Sequence, residues 1–278
     1  MLSYRHAFHA GNHADVLKHL VEVLILEYLV KKEGKQLRYI DTHAGPGTYA
    51  LQDSFASKNR EFESGIARLW ECTNLPPTLA NYVDIIRGFN ATGELLHYPG
   101  SPAIAARILG DAHRLQLFEL HPDDFAKLSQ WAGRDRRINL QQADGLSALK
   151  AILPPLERRA LVMIDPSYEV KTDYDRVIAA LEVGGKKFAS GVYALWYPLL
   201  DRNDVSVLVK RLELMSVKSL VVELPVQSMA GEGMRGSGMF IINPPWMLQQ
   251  QLETCLPYLY EALADHNAPL WSLYTHSE

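Results

Sequence analysis

The chain has 278 residues, 47% hydrophobic and 22% charged, the composition of an ordinary soluble globular protein with room for one large α/β domain and an insertion. Its longest apolar stretch, Leu20–Val30, is broken by Glu22 and Glu27 and is too short to span a bilayer, and the N-terminal Met-Leu-Ser-Tyr-Arg-His lacks the apolar core of a signal peptide. The formal charge of -4 argues against a strongly basic nucleic-acid protein, and Cys72 and Cys255, far apart and without a C-x-x-C pair, predict reduced thiols in a cytoplasmic protein.

Asn12 is placed to cap a helix that runs to about Lys32, with Val16, Leu20, Val23, Leu24 and Leu26 at helical spacing. A short strand over Leu37–Ile40 runs into Asp41-Thr42-His43-Ala44-Gly45-Pro46-Gly47. Residues 50–97 have little strand character; Glu61–Cys72 and Leu79–Phe89 read as helices separated by Leu75-Pro76-Pro77. Tyr98-Pro99-Gly100-Ser101-Pro102 opens another helix. From there strand and helix alternate, with strands over Leu115–Leu120, Ile138–Gln142, the run ending at Asp165, Gly191–Trp196, Ser219–Leu224 and Gly238–Asn243. Such alternation predicts a mostly parallel sheet covered on both faces, with an antiparallel strand at the edge late in the chain. That is the seven-stranded, Rossmann-like outline of a class I S-adenosylmethionine-dependent methyltransferase. Residues 1–49 and 98–278 would form its core, and 50–97 an inserted helical subdomain that helps hold nucleic acid.

The most telling segment is Arg159–Glu169, an apolar strand ending in Asp165-Pro166-Ser167-Tyr168. A carboxylate and a proline-fixed carbonyl at a strand's C-terminal edge can accept both hydrogens of an exocyclic amine, and an aromatic ring nearby can stack on the base that carries it. The four residues resemble the Asp/Asn-Pro-Pro-aromatic signature of amino-methyltransferases, with Ser167 in place of the second proline. Asn243-Pro244-Pro245-Trp246 fits the letters better. Order decides for Asp165: ligands of an open α/β sheet sit at the carboxyl ends of strands near the reversal of strand order, and the one plausible cofactor loop, Asp41–Gly47, precedes Asp165 whereas none follows Trp246. Asn243–Trp246 is then a late loop near the target base, and Trp196-Tyr197-Pro198 a wall of the base pocket.

Four successive strands end in Asp41, Glu119, Asp144 and Asp165. A glycine pair at Gly45 and Gly47 lets backbone approach a ligand, Glu119 stands where an acid grips ribose hydroxyls, and Asp144-Gly145 can meet an adenine edge. Basic residues gather at Arg5 and Lys18, at Arg134/Arg136/Arg137, at Arg158/Arg159 and at Lys186/Lys187. Each cluster reads first as a solvated face, though a small basic patch beside the site would suffice for RNA. His6, His9, His13 and His19 have neither cysteine nor much carboxylate support, so no metal site is expected.

Several segments together carry a closer resemblance: Met1–His19, Asp41-Thr-His-Ala-Gly, Tyr98-Pro-Gly-Ser-Pro, Glu119-Leu-His-Pro, Asp165-Pro-x-Tyr-Glu-x-Lys-Thr-Asp-Tyr, Tyr193-Ala-Leu-Trp-Tyr-Pro and Asn243-Pro-Pro-Trp. They resemble the RlmJ family, enzymes that methylate N6 of an adenine in 23S ribosomal RNA, nearly end to end. The resemblance implies that His19, His43, Ser101, Glu119, Asp144 and Gly145 touch S-adenosylmethionine, that Asp165 is catalytic, and that Tyr4 contacts RNA. Pro166 and Tyr168 would hold the target base. Naked 23S ribosomal RNA is the expected partner and a monomer the expected state. Alternatives are a DNA adenine-N6 methyltransferase, a protein for use of external DNA, and a non-catalytic nucleic-acid-binding relative whose turnover is lost through Ser167.

Overall fold

The computed structural model describes residues 6–52, 60–201, 203–229 and 233–276. Its main sheet has eight strands: β1 (Arg38–Asp41), β4 (Arg114–Phe118), β5 (Ile138–Gln141), β6 (Ala160–Ile164), β7 (Val192–Leu199), β8 (Ser219–Pro225), β9 (Gly236–Ile242) and β10 (Ser272–His276). They lie in the order β10-β8-β9-β7-β6-β1-β4-β5. Pairing is parallel from β5 through β7, and β9 runs antiparallel to both β7 and β8. Seven of these strands give the class I methyltransferase outline. Two details differ from expectation: the antiparallel β9 is interior rather than at the edge, and β10 adds an eighth strand outside β8. The sequence conceals β10 because its residues are mostly half-buried and show no clean alternation.

Apolar residues of each strand alternate between two cores, as the two-residue period of a strand requires. Leu161 and Met163 of β6 face one cluster, whereas Ala160, Val162 and Ile164 face the other. The first core is closed by α1 (His13–Val30), α3 (Pro77–Arg87), α4 (Ser101–Ile108) and α9 (Leu248–Leu263). The second is closed by α6 (Gly145–Ile152), α7 (Thr172–Lys187) and α8 (Asn203–Glu213). A further helix, α5 (Pro122–Ala132), follows β4, and its Leu128 joins the first core.

The segment expected to be an insertion is bracketed by a small antiparallel pair, β2 (Thr48–Ala50) and β3 (His97–Pro99). Between them lie a 3-10 turn at Glu61–Ser64, a short α2 (Ala67–Trp70) and α3. Leu69, Leu79, Tyr82, Val83 and Ile86 belong to the first core, so this segment packs on α1 and α9 as part of one body. Cys72 and Cys255 are both free.

Helix α1 begins where Asn12 predicts: its side-chain oxygen accepts from the N–H groups of Ala14 at 2.9 Å and Asp15 at 3.1 Å, a cap worth about 1 kcal/mol. Every residue from Ala14 to Leu26 is buried. A helix buried on all sides is normally apolar all round. This one carries Asp15, Lys18, His19 and Glu22, a polar stripe at i, i+3, i+4 and i+7 that must find partners inside the protein.

Candidate active site

Strand order reverses between β1 and β6: β4 lies on one side of β1, β6 on the other. The cavity at the carboxyl ends of these strands is lined by the loops after β1, β4, β5 and β6, by the polar stripe of α1 and by the start of α4. It brings together His19, His43, Ser101, Glu119, Asp144, Gly145, Asp165 and Pro166. Tyr4 lies outside the described residues.

The first loop is built on Asp41, which sits behind the cavity rather than in it. Its carboxylate accepts from the Ser101 hydroxyl at 2.6 Å, the Tyr39 hydroxyl at 2.9 Å and the His43 N–H at 3.1 Å. Thr42 ties this loop to β6 through the Met163 carbonyl, with its N–H at 3.1 Å and its hydroxyl at 3.0 Å. Gly45 and Gly47 adopt positive φ, of 60° and 89°, a region glycine enters without steric cost. The Gly45 N–H donates to Glu119 at 2.8 Å, and the His121 N–H to its other oxygen at 2.7 Å. Glu119 is thereby fixed at the rim with lone pairs to spare. Burial pushes the His43 imidazole down to about 4, which leaves it neutral.

Asp144 caps α6, accepting from the Ser147 N–H at 3.3 Å and the Ser147 hydroxyl at 3.0 Å, and it pairs with Arg176 of α7. Gly145 lies so close to the first loop that a Cβ there would stand 2.3 Å from the Thr42 carbonyl oxygen. Gly145→Ala is expected to lower stability by about 1–3 kcal/mol through this overpacking. Gly110→Ala, whose Cβ would meet nothing within 4 Å, serves as the control. Equal urea midpoints for the two variants would refute the close approach.

Asp165 emerges from β6 and is met from the other side by α1. Lys18 Nζ lies 2.5 Å from Asp165 Oδ2 and 2.8 Å from Asp15 Oδ1, and Asp15 in turn lies 3.0 Å from His6 Nε2. The Gly11 N–H also donates to Asp15, at 2.9 Å. Burial alone would strip the Lys18 proton, but the carboxylates of Asp15 and Asp165 outweigh it and hold the ammonium above its ordinary range. Burial likewise opposes ionisation of Asp15, and the charges of His6 and Lys18 overcome it, so its carboxyl stays well below the usual range. Farther along the stripe, burial and the nearby Asp41 push the Glu22 carboxyl well up, so it is neutral.

Lys18 and Asp15 were missed as site residues from sequence, although the polar stripe on an apolar helix was the available signal. The other early histidines are placed apart: His9 pairs with Glu61 at 2.9 Å, and His19 with the Tyr98 hydroxyl at 2.8 Å.

Two expectations about aromatic groups do not match this geometry. Tyr168 does not line the cavity. Its backbone is left-handed, with φ 54°, which turns the ring back into the second core. There it is 6% exposed, packs 4.7 Å from the Tyr174 ring and donates its hydroxyl to the Trp196 carbonyl at 2.9 Å. Trp196 is likewise absent from the cavity wall, since β7 continues three residues past it to Leu199. Asn243–Trp246 is not near the site at all. Because β9 is antiparallel to β7, Ile242 pairs with Tyr193 at the start of β7, on the opposite edge of the sheet from Asp165. There Asn243 donates to the carbonyls of Ala189 and Gly191, both at 2.7 Å.

The basic clusters meet the same fate. Arg134/Arg136/Arg137 precede β5, Arg158/Arg159 precede β6 and Lys186/Lys187 precede β7, all at the amino ends of parallel strands. Arg137 pairs with Asp135 at 2.6 Å and Arg159 donates to the Leu29 carbonyl at 2.8 Å, so both act within the fold.

The family model described as "Ribosomal RNA large subunit methyltransferase D, RlmJ" matches residues 34–273. The chain belongs to the RlmJ family. It is 47% identical to Ribosomal RNA large subunit methyltransferase J of Escherichia coli K12 over 265 residues, 95% of this chain and 94% of that protein. To the RlmJ protein of the same name from Haemophilus influenzae it is 46% identical, with 98% of each chain covered. A crystal structure of a Legionella pneumophila protein superposes with a TM-score of 0.88 at 36% identity, covering 97% of this chain and 98% of that one. The RlmJ match therefore extends over the site and the segment between β2 and β3 alike.

Proposed function

We propose that this protein transfers the methyl group of S-adenosylmethionine to the N6 amine of an adenine in 23S ribosomal RNA. The observation that carries the reading is the position of Asp165. Its carboxylate stands at the switch point of the sheet, beside the Pro166 carbonyl, in a cavity whose other polar groups suit an adenosyl amino acid. Glu119 has free lone pairs for ribose hydroxyls. His19 Nε2 is buried without a partner and faces the cavity, an atom that a ligand would satisfy. Ser101 and Gly145 complete the floor.

The cofactor, when bound, supplies an electrophilic methyl on sulfur. The protein's part is positioning. An adenine amine is a weak nucleophile because its lone pair is delocalised into the ring. Asp165 and the Pro166 carbonyl would accept its two N–H bonds and leave the lone pair aimed into the cavity, an alignment worth several kcal/mol. Asp165 is also placed to accept the proton released. Lys18, reaching it from α1, holds the carboxylate in one orientation. Ser167 leaves both acceptors in place, so the departure from the double-proline pattern affects rate more than reaction type. The protein would act in the cytoplasm as a monomer on naked RNA, with the segment between β2 and β3 contributing to RNA contact.

The test is methyl transfer from labelled cofactor to naked 23S ribosomal RNA, with mass spectrometry locating the methyl group. Transfer to DNA and not to RNA, or to another atom of the base, would overturn the reading. Glu119→Ala is expected to weaken cofactor binding by about 10–100-fold, the loss of hydrogen bonds to a charged group, with a much smaller effect on the rate at saturation. Unchanged affinity with a collapsed maximal rate would contradict that role.

A further inference from the structure

A buried line of hydroxyls ends on His19. The Tyr98 hydroxyl lies 2.8 Å from His19 Nδ1 and 2.9 Å from the Tyr82 hydroxyl, and both phenols are fully buried. The Tyr98 ring also stacks on the imidazole, with centroids 5.5 Å apart and planes at 30°. Tyr98 belongs to β3, three residues before Ser101, and Tyr82 to α3. The other ring nitrogen, Nε2, is buried, faces the cavity and has no partner.

The line has a direction. Burial and the adjacent Lys18 ammonium keep His19 neutral, so it carries one N–H, and each phenol carries one O–H. With the proton on Nδ1, His19 would donate to Tyr98, Tyr98 to Tyr82, and the Tyr82 O–H would be left in the core without an acceptor. In the reverse direction Tyr82 donates to Tyr98 and Tyr98 to Nδ1. Every proton is then used, and the imidazole hydrogen sits on Nε2. Buried donors are rarely left unpaired, which selects the second arrangement.

We propose that Tyr98 is a positioning residue: its hydroxyl, held in place by Tyr82, fixes His19 as the Nε2–H tautomer, so that the cavity presents a donor at this point. A donor there selects an acceptor on the ligand. The carboxylate of an amino acid, and not its ammonium, would then lie against His19, which orients the methionyl end of the cofactor. This last step rests on the proposed cofactor; the tautomer does not.

The experiment is ¹⁵N NMR of histidine-labelled protein without ligand, paired with calorimetric titration of S-adenosylhomocysteine. In the wild type, His19 should show a protonated Nε2 and a bare Nδ1; a protonated Nδ1 overturns the proposal without any variant being made. Tyr98→Phe, which keeps the stacked ring, should give a tautomer mixture and about 10-fold weaker S-adenosylhomocysteine binding, the order expected for one hydrogen bond, with kcat at saturating cofactor unchanged. Tyr82→Phe should keep the tautomer, because Tyr98 still has only Nδ1 to donate to, and should bind within about 2-fold of wild type. If both variants lose affinity alike with the His19 signals unmoved, the phenols merely pack and the proposal fails. If the wild type does not bind S-adenosylhomocysteine at all, the cofactor reading fails, and the NMR signals still decide the tautomer.

Discussion

Asp165→Ala lowers single-turnover methylation by about 10²–10⁴-fold while leaving cofactor affinity nearly intact, the range for a positioned acceptor that acts mainly in the transition state. Asp165 touches the side of the cavity where the amine would enter, whereas the groups suited to the cofactor come from the loops after β1, β4 and β5. Ser167→Pro should change the rate far less and in the upward direction, since proline stiffens a loop whose acceptors are already present. Asn243→Ala should leave single-turnover chemistry near wild type, because its side chain braces the Ala189–Gly191 turn on the far edge of the sheet. Rapid-quench measurement of all three variants decides the matter: abolition by Asn243→Ala with survival of Asp165→Ala would mean that the wrong strand had been assigned to catalysis.

Lys18→Met produces the largest loss of stability expected at the site. The ammonium lies between two carboxylates, and Asp15 is almost wholly inaccessible to solvent. Removing one member of a buried ionic group leaves its partners charged and unmatched, at a cost of about 3–5 kcal/mol. The pH dependence carries a sign. The folded-state pKa of Asp15 is depressed, so its contribution is present above the ordinary carboxylate range and is lost as pH falls through the lower folded value. That of Lys18 is raised, so its contribution is complete below lysine's ordinary value and is lost only at more alkaline pH still. Urea unfolding of the wild type should therefore weaken toward acid. In Lys18→Met, Asp15 loses much of what depresses it, and the acid slope should flatten. An unchanged urea midpoint in Lys18→Met would show that the pair contributes nothing to the fold.

Much of the architecture was legible because each parallel strand is an apolar run that stops at an acid, and the sheet turns that regularity into a row of carboxylates along one edge. Asp41 shows the limit of the pattern: it obeys the rule yet anchors the loop from behind, a difference only the Tyr39, Ser101 and His43 contacts reveal. Tyr168 followed the signature by letter, but a left-handed backbone at that residue decides where the ring goes, and φ is not written in composition. Lys18 and Asp165 are 147 residues apart, so no spacing rule pairs them. The isolated polar stripe on α1 nevertheless announced that something charged had to wait on the other side. The basic clusters misled for a simple topological reason. Each precedes a parallel strand, and strands that run the same way place their beginnings on the edge away from their ends.

The interior position of β9 bears on how such a chain emerges from a ribosome. Strands β7 and β8 are made first, and neither pairs with the other; each pairs with β9, which arrives only after residue 236. Until then the growing sheet keeps two open edges of buried-type, apolar strand, the kind of surface that recruits strands from neighbouring chains. A nascent chain halted before Gly236 would thus carry every residue proposed here for chemistry and still be prone to aggregate, with synthesis of the last sixth of the protein acting as its own quality check.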